Sequence, residues 1–574
     1  MVNVKNLFGM AVMATALVGC ASNDDLNPNA NEGAGKAGTA YAKFTIQLPT
    51  VSGTRAVDPN TGAEFNGGTA DEYAVKDAQL VIFEKTDASK GEGDYSYVET
   101  VNIGNLEPWS DQTPANQGVT RYSDITAKLG NVTLYDSGDK YYALIILNNE
   151  GQSKVKLPTS GTYSAWNVAN NAKEAKDFLS TTDGFYMSNA PLLKSGAPQT
   201  LVPINGVYST KEEAQTKPAT TVYVERGMAK VTVGGSDYTF DATSAFNKDK
   251  VSITKWTLDV MNQKTFPVHT TTGLTDKFAN IWSTKRFYAG ADPKRVYWGT
   301  DPNYSMTTLT TVPACKGEFY LLDREGNTYN GVAGSTVTWA DKTKPLYCLE
   351  NTFDIDNMKQ GQTTRVVFKA TYTPFVLATA ADKTFFMIGN NTKIWTKTNL
   401  EQQIANKAKE LLNTTGTVTA TISGDLLKGG SHLLNTGNVT IKEGSVGKNG
   451  DINFDNLNTK LGLDKTDGIK TYKNGECYYI ARIKHFNGLT PWNPGDKTYR
   501  DPSLSDDQNN NAFLGRYGVL RNNWYDLEVT KFSAPGYPDV PVVNPDVPDD
   551  EDTKYINVEV KILDWAKRTQ QVEL

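Results

Sequence analysis

The sequence has few of the residues from which catalytic and metal centres are built. Its 574 residues include only four cysteines and three histidines. No CxxC or HExxH motif occurs, and His269, His432 and His485 lie in different segments. This excludes the common zinc sites, and no GxSxG motif marks a nucleophilic serine. The many carboxylates leave a glycosidase-type pair open, but none is singled out. We therefore expect no catalytic residue, no metal, no cofactor and no enzyme.

Positive charge is also in short supply. Lys and Arg number 58 against 64 Asp and Glu, which gives a net charge of −6 and a pI of about 5.4. A protein that binds nucleic acid needs a basic face to neutralise phosphates. No such face is evident in the sequence, so we expect no nucleic-acid partner.

The few cysteines leave the thiol state open. Cys20 belongs to an N-terminal export signal, which leaves Cys315, Cys348 and Cys477. A bridge between Cys315 and Cys348 is one arrangement, and free buried thiols are the other.

Residues of strands and turns are abundant. The chain has 48 glycines and 28 tyrosines, and 39% of its residues are hydrophobic. The apolar run Tyr141–Leu147 is typical of a central strand, and Thr221–Val233 reads as a strand whose alternation shifts around Gly227. The length corresponds to roughly two to three domains. The composition predicts a mainly β protein.

Two helices are predicted among these strands. Apolar residues recur at roughly helical spacing from Trp166 to Leu179. The second helix has a stronger signal: Asn399 and Gln402 resemble a capping box, and Gly416 can end the helix. Its apolar face comprises Leu400, Ile404, Ala408 and Leu411.

Two glycine- or acid-rich loops resemble ligand sites only superficially. Gly444, Gly447 and Gly450 form a GxxGxxG that neither follows a clear strand of a βαβ unit nor carries the lysine of a phosphate loop. Asp58 to Glu64 has acidic residues but not the spacing or final glutamate of an EF-hand. We interpret both as turns.

The N-terminus reads as an export signal. Met1–Cys20 has a lysine near its start and an apolar run that is too short for a membrane anchor. Its last residues, Leu17 to Cys20, read LVGC and match the lipobox of bacterial lipoproteins, in which the cysteine is lipidated. An ordinary signal peptide is the alternative.

A strand and a breaker segment follow a polar tether. From Tyr41 to Leu48, the apolar residues Phe44, Ile46 and Leu48 alternate with polar ones, which predicts the first strand. The next segment, 49–60, is rich in turn residues and carries Arg55, where a trypsin-like protease could cut.

The C-terminus repeats this pattern of strand and breakers in reverse order. Residues 533–554 are rich in proline and aspartate, which predicts a semi-rigid solvated arm. The last segment, 555–574, alternates as a strand does. It could pair with its own sheet, but the arm favours a strand that completes a neighbouring molecule. The apolar residues of this candidate donor strand are Ile556, Val558, Val560, Ile562, Trp565, Val572 and Leu574.

Several motifs together resemble one family. They are LVGC at the front, TRA at 54–56, VERGMAKVTV at 224–233, GRYGVLRNNWYDLEV at 515–529 and VEVKILDW at 558–565. With TPW at 490–492, they resemble the shaft subunits of the type V fimbriae of Bacteroidales, within the FimA-like fimbrillin superfamily. The resemblance is greatest to the subunit type that builds the short, or minor, fimbria.

This resemblance implies an assembly mechanism. Cys20 would carry the lipid of an outer-membrane precursor, and Arg55–Ala56 would be the scissile bond. Loss of the first strand would open a groove that the C-terminal strand of another copy fills. The implied partners are further copies of the chain, tip and anchor subunits, a trypsin-like protease, and host or bacterial surface ligands. The membrane is a partner only of the lipidated precursor.

The resemblance also implies a domain plan of two transthyretin-like β-sandwiches with a few short helices. It comprises a signal peptide (1–20), a propeptide (21–55), an N-terminal sandwich (56–220), a C-terminal sandwich with insertions (221–532), a linker (533–554) and a donor strand (555–574). The main alternative is a monomeric surface lipoprotein that binds a glycan or a host protein. A fimbrial anchor or tip component is another.

Overall fold

A computed structural model gives the fold of the chain. It describes residues 39–49, 64–65, 69–104, 106, 110–111, 119–169, 173–174, 178, 184–277, 281–283, 287–289, 294–465, 467–486, 503, 513–549, 556–563 and 566–567. Within this part of the chain, strands greatly outnumber helices, which confirms the predicted mainly β class.

The strands follow one another in two halves of the chain. The first half contains β1 (Ala40–Pro49), β2 (Glu64–Phe65), β3 (Ala78–Glu84), β4 (Ser96–Gly104), β5 (Ser110–Asp111), β6 (Val119–Leu129), β7 (Tyr141–Leu147), β8 (Lys173–Glu174), β9 (Met187–Asn189), β10 (Leu192–Lys194), β11 (Ala197–Gln199), β12 (Val202–Pro203), β13 (Thr220–Arg226), β14 (Met228–Gly235), β15 (Tyr238–Thr239), β16 (Lys250–Asp259), β17 (Met261–Asn262) and β18 (Lys264–Thr265). The second half contains β19 (Tyr288–Ala289), β20 (Lys294–Val296), β21 (Phe319–Tyr320), β22 (Leu346–Leu349), β23 (Arg365–Thr373), β24 (Phe385–Ile388), β25 (Val418–Ile422), β26 (Gly430–His432), β27 (Val439–Glu443), β28 (Val446–Gly447), β29 (Ile469–Tyr472), β30 (Glu476–Arg482), β31 (Trp524–Phe532), β32 (Ile556–Leu563) and β33 (Ala566–Lys567).

The described helices are short, with one exception of 16 residues. They are α1 (Ala70–Tyr73), α2 (Lys211–Thr216), α3 (Leu274–Lys277), α4 (Val312–Glu318), α5 (Lys397–Leu412) and α6 (Phe454–Lys460). Among the residues that the structure describes, no helix is long and apolar enough to cross a membrane.

The largest sheet organises the first half of the chain. Its nine strands run in the order β4-β3-β7-β9-β13-β1-β6-β5, and β12 also pairs with β7. All seven residues of β7 are buried, in agreement with the prediction that its apolar run forms a central strand. Most of the buried apolar residues between Ala40 and Val224 form one hydrophobic cluster with a few later residues.

Two four-stranded sheets build a second core. Their orders are β22-β14-β31-β32 and β15-β16-β23-β30. Residues from both sheets, between Ala229 and Phe532, form the second cluster. Only Gly227 separates β13, in the first sheet, from β14, in the second. A nearly continuous strand therefore connects the two cores.

A third core belongs to an insertion in the second half. The chain leaves β24 after Ile388 and returns at Ile469, which is the antiparallel partner of Ile388. Between these points, α5, α6 and the sheet β25-β27-β28 surround their own cluster.

Helix α5 confirms one prediction and corrects its ends. Leu400, Ile404 and Ala408 are buried as predicted. However, Thr396 rather than Asn399 is the N-cap, because its hydroxyl accepts the Asn399 backbone N–H at 3.3 Å. The helix ends before Gly416, at Asn413, which adopts the left-handed conformation that asparagine tolerates (φ 48°).

The helix predicted from Trp166 to Leu179 is wrong as a continuous element. Ala165–Ala169 forms a π-helical segment, and Trp166 is buried. Lys173–Glu174 is already a strand that pairs with Lys264–Thr265. Pairing with a distant segment overrides the local helical spacing at this point.

The proline- and aspartate-rich segment also departs from the prediction of a solvated arm, over its described part, 533–549. Tyr537 exchanges both backbone hydrogen bonds with Tyr478, at 2.7 and 2.8 Å. Val540 and Val543 are 1% and 5% exposed. We call residues 533–549 the strap. Val540 and Val543 pack among other apolar residues, whereas Val542 is 56% exposed. Several backbone groups of the strap pair with β30 and with neighbouring loops.

Candidate assembly site

Strand β1 lies between two strands of the large sheet. It runs antiparallel to β6, where Phe44 faces Ile125, and parallel to β13, where Phe44 faces Thr220. Both flanking strands come from later parts of the chain, and β13 comes much later than β6. Removal of β1 would leave a gap one strand wide between β6 and β13, with unpaired backbone groups on both sides.

The inner face of β1 is completely buried. Ala40, Ala42, Phe44 and Ile46 are 0% exposed and Leu48 is 2% exposed. The predicted first-strand residues Phe44, Ile46 and Leu48 therefore occupy the hydrophobic cluster of the first sheet. Their alternation with half-buried residues follows the period of two that the sequence showed.

The outer face of β1 makes polar contacts. The Thr45 hydroxyl donates to the Asp124 carboxylate at 2.6 Å, and Lys43 Nζ donates to the Gln215 carbonyl at 3.3 Å. Gln215 belongs to α2, whose N-cap Thr210 accepts the Glu213 backbone N–H. At its start, β1 also exchanges two backbone hydrogen bonds between Tyr41 and Tyr208, at 2.8 and 2.9 Å.

The predicted processing residues lie outside the described residues. These are Cys20, the lipidation candidate, and Arg55 and Ala56, the candidate scissile pair. Strand β1 ends at Pro49, where its register against β6 shifts. Arg55 follows six positions later in the sequence.

The C-terminal strand β32 pairs with β31 of the second core. Its backbone register sets Val558 opposite Val529 and Val560 opposite Leu527. Ile556 and Ile562 face Phe532 and Tyr525 in the same register. Trp565, Val572 and Leu574 lie outside the described residues. A short pair between β33 and β2 follows, with Phe65 opposite Ala566.

A buried charge cluster joins the two cores, and sequence reasoning missed it. Lys230 Nζ lies 2.7 Å from Glu72 Oε1, and the Tyr347 hydroxyl donates to the same oxygen at 2.6 Å. Arg226 Nε donates to the Glu72 carbonyl at 2.6 Å, and its Nη1 donates to Asn522 at 3.2 Å. The available signal was charged residues inside the apolar strand VERGMAK.

A second buried cluster lies beside it on β13. Glu225 is 2.8 Å from His269 Nδ1 and 3.0 Å from Arg295 Nη2. Burial alone would raise the pKa of Glu225, but His269 and Arg295 hold this pKa below its ordinary value of 4.5. The carboxylate therefore stays charged within the protein.

The cysteines are structural. Cys315, Cys348 and Cys477 are free and buried, so the alternative of a bridge between Cys315 and Cys348 does not hold. Burial raises the pKa of Cys315 to about 11 and those of Cys348 and Cys477 to about 12. Within the described residues, no three His, Cys, Asp or Glu side chains are grouped to hold a metal ion.

A known family matches the C-terminal part of the chain. Residues 470–571 match the family described as major fimbrial subunit protein type IV, fimbrillin, C-terminal. The matched segment includes most of β29, all of β30 to β33 and the strap. Over this segment the chain is similar to the fimbrillins. Its resemblance to the FimA-like fimbrillins is thereby confirmed.

Solved structures of fimbrial and adhesion proteins are similar over most of their length. They include the fimbrillin FimA of Porphyromonas gingivalis W83 (10% identity, 93% of this chain, 98% of that chain, TM-score 0.38). A Parabacteroides distasonis protein provisionally described as a cell adhesion protein has 12% identity, coverage of 91% and 96%, and a TM-score of 0.36. The C-terminally truncated tip fimbrial protein Mfa3 of P. gingivalis has 12% identity, coverage of 92% and 100%, and a TM-score of 0.28.

TM-scores below 0.5 establish neither a shared fold nor a function, so the similarity to the fimbrillins depends on the matched C-terminal segment. The comparison with curated protein sequences finds no significant match.

Proposed function

We propose that the chain is the shaft subunit of a cell-surface fimbrium and that it polymerises by donor-strand exchange. One observation carries the proposal: β1 is buried between β6 and β13, yet only the segment that contains Arg55 connects it to the following chain. In this scheme the precursor is exported, lipidated at Cys20 and cut between Arg55 and Ala56. The C-terminal strand of another copy then replaces β1.

The burial of β1 indicates how strongly the groove would hold a replacement strand. Phe44, Ile46 and Leu48 are almost completely buried. At about 1.5–3 kcal/mol for each such side chain, they contribute roughly 5–9 kcal/mol before ordering costs. Each ladder hydrogen bond adds about 1 kcal/mol net. A donor strand with equivalent apolar residues would therefore dissociate slowly.

The position of β32 indicates why it would favour the groove of another copy over its place beside β31. Within the described strands, β32 is an edge strand that pairs with β31 alone. In the groove, a strand would pair on both sides, as β1 does. The second ladder and the enclosed apolar face favour the groove over the edge. Donation requires that β32 first leave β31.

The partners follow from this scheme. They are further copies of the chain, tip and anchor subunits that end the polymer, and the trypsin-like protease. Adhesion and biofilm formation would depend on host or bacterial surface ligands along the fibre. No catalytic step by this chain is part of the proposal.

One observation favours a different role. In a chain that keeps β32 on β31 and β1 in the groove, the donor strand and the groove are both occupied within one molecule. Such a chain could serve as a monomeric surface lipoprotein that binds a glycan or a host protein, or as a fimbrial anchor or tip.

The N-terminus and intact mass of the protein from the cell surface distinguish these roles. The proposal requires a start at Ala56 and fibres visible by electron microscopy. Arg55→Ala should block the Arg-specific cut, retain β1 and abolish fibres. A mature chain that starts at lipidated Cys20 would favour the monomer or anchor instead.

A further inference from the structure

The strap contacts the second core and neighbouring segments at several points along its described length. Near its start, Tyr472 and Tyr479 donate their hydroxyls to the carbonyls of Gly536 and Ala534, at 2.9 and 3.0 Å. In its middle, Arg365 Nη2 donates to the Pro541 carbonyl at 2.6 Å. Val543 packs in a small cluster with Cys315 and neighbouring apolar residues. These contacts bind the strap through its backbone and through its apolar side chains.

The end of the strap makes the most enclosed contact. Asp549 is 1% exposed, and its Oδ1 lies 3.2 Å from Arg482 Nε. The Thr363 hydroxyl donates to the other carboxylate oxygen. The Asp549 backbone N–H also donates to the Met358 carbonyl at 3.2 Å. A buried carboxylate that pairs with a buried arginine is costly to separate from it, because the arginine would stay buried without this carboxylate.

We propose that Asp549 is the fixed exit point of the donor tail, a positioning residue for assembly. During exchange, the strap stays bound and only the chain after Asp549 moves. This inference rests on the proposed function, because it concerns how the same tail reaches its acceptor.

The exit point limits the reach of the tail. Only residues 550–555 separate Asp549 from Ile556, the first residue of β32. A chain of this length spans at most about 25 Å when extended. A tail released from Phe532 would have more than three times as many residues to span the same gap. A short connection holds adjacent subunits in a narrow range of positions, so the fibre is stiff.

A disulfide lock tests this exit point directly. Lys359 and Pro548 form an isolated antiparallel bridge, flanked by hydrogen bonds from Gln360 N to Val547 O and from Asp549 N to Met358 O. Such a non-hydrogen-bonded pair has Cα atoms about 4.5 Å apart, which suits a disulfide. The full-length Lys359→Cys/Pro548→Cys variant, cleaved after Arg55, should form fibres equally under oxidising and reducing conditions. Fibres that appear only after reduction would show that the strap must detach, and the proposal would fail.

A second lock separates this proposal from the proposed function. Glu528 and Glu559 are register partners on β31 and β32. In the Glu528→Cys/Glu559→Cys variant, oxidation should abolish fibres and reduction should restore them. If its oxidised form polymerises like the reduced form, β32 is not the donor, and the proposed function fails. Absence of fibres from the wild-type chain would have the same meaning and would end the exit-point proposal with it.

Removal of the Asp549 charge tests the positioning role by a measurement that a merely structural role would not change. In Asp549→Asn, the Gln360 and residue 549 amides should exchange hydrogen at least tenfold faster, and fibres should form with at least a twofold shorter persistence length. The control is Asp546→Asn, an exposed carboxylate 3.9 Å from Lys359 Nζ, which should change neither quantity. Fibres of unchanged stiffness despite faster amide exchange in Asp549→Asn would overturn the proposal.

Discussion

Lys230 Nζ and Glu72 Oε1 lie 2.7 Å apart, with side-chain exposures of 6% and 2%. Glu72 belongs to α1, which lies just before β3 of the first sheet in the chain, and Lys230 belongs to β14 of the second core. Lys230 also lies over the Trp524 ring, 3.8 Å from its centroid. Because the pair joins segments of both cores, its loss should lower the stability of both.

We expect Glu72→Gln to destabilise the protein by about 3–5 kcal/mol, since the buried Lys230 charge would lose the carboxylate that it contacts. Denaturant unfolding should show this loss. The control is Asp71→Asn on the same helix, at an exposed position, with an expected change below about 0.5 kcal/mol. Equal stabilities of the two variants would mean that the ion pair does not join the cores.

Gly227 tests the passage between the two sheets. A Cβ at this position would lie 2.9 Å from the Tyr186 ring and 3.2 Å from the Phe178 ring, both buried. Gly227→Ala should therefore cost about 1–3 kcal/mol through overpacking. Gly447→Ala is the matched control, because no heavy atom lies within 4 Å of its Cβ position. Thermal unfolding of both variants measures the difference, and a neutral Gly227→Ala would contradict the close packing.

The ionisation of Glu225 makes the stability of the folded protein depend on pH in the acidic range. Its folded-state pKa lies below the ordinary value of 4.5, so it stabilises the protein above about pH 4.5. This contribution falls as the pH drops through the lowered pKa, by about 1.4 kcal/mol for each unit of pKa depression. Urea unfolding from pH 6 to pH 3 should show a shallower pH dependence for Glu225→Gln than for the wild type. Identical slopes would exclude Glu225 as the responsible group.

The buried cysteines should be unreactive in the folded protein. Cys315, Cys348 and Cys477 are each 0% exposed, and burial raises the pKa of each. Because the thiolate is the reactive form, a thiol reagent at pH 8 should modify them at least about 100-fold more slowly than in urea. Mass spectrometry after alkylation gives the count. Rapid labelling of any of the three in the native state would contradict its burial.

Apolar strands could be predicted because their cause is local. The run from Tyr141 to Leu147 and the alternation through Phe44 carry their burial pattern in consecutive residues. Helix α5 was found for the same reason, but its cap was misplaced because Thr396 and Asn399 are both competent N-caps.

The strap and the charge clusters could not be predicted because their causes are distant in sequence. The proline and aspartate content of the strap indicates a solvated arm. In the fold, however, Asp549 pairs with Arg482, which lies in β30. Likewise, Glu72 is stabilised by Lys230, far along the chain, and neither residue type favours burial alone. Pairs of this kind follow from the fold and not from local composition.

The packing of β1 determines how firmly the precursor is closed. Phe44 is 0% exposed in the first hydrophobic cluster, so Phe44→Ala should cost about 3–5 kcal/mol in the uncleaved chain. The matched control is Lys43→Ala on the half-buried outer face, with an expected change below about 0.5 kcal/mol. Hydrogen exchange should be faster in β6 and β13 of Phe44→Ala, because both strands lose protection when β1 leaves. If exchange increases elsewhere but not in these two strands, β1 is not what closes the groove between them.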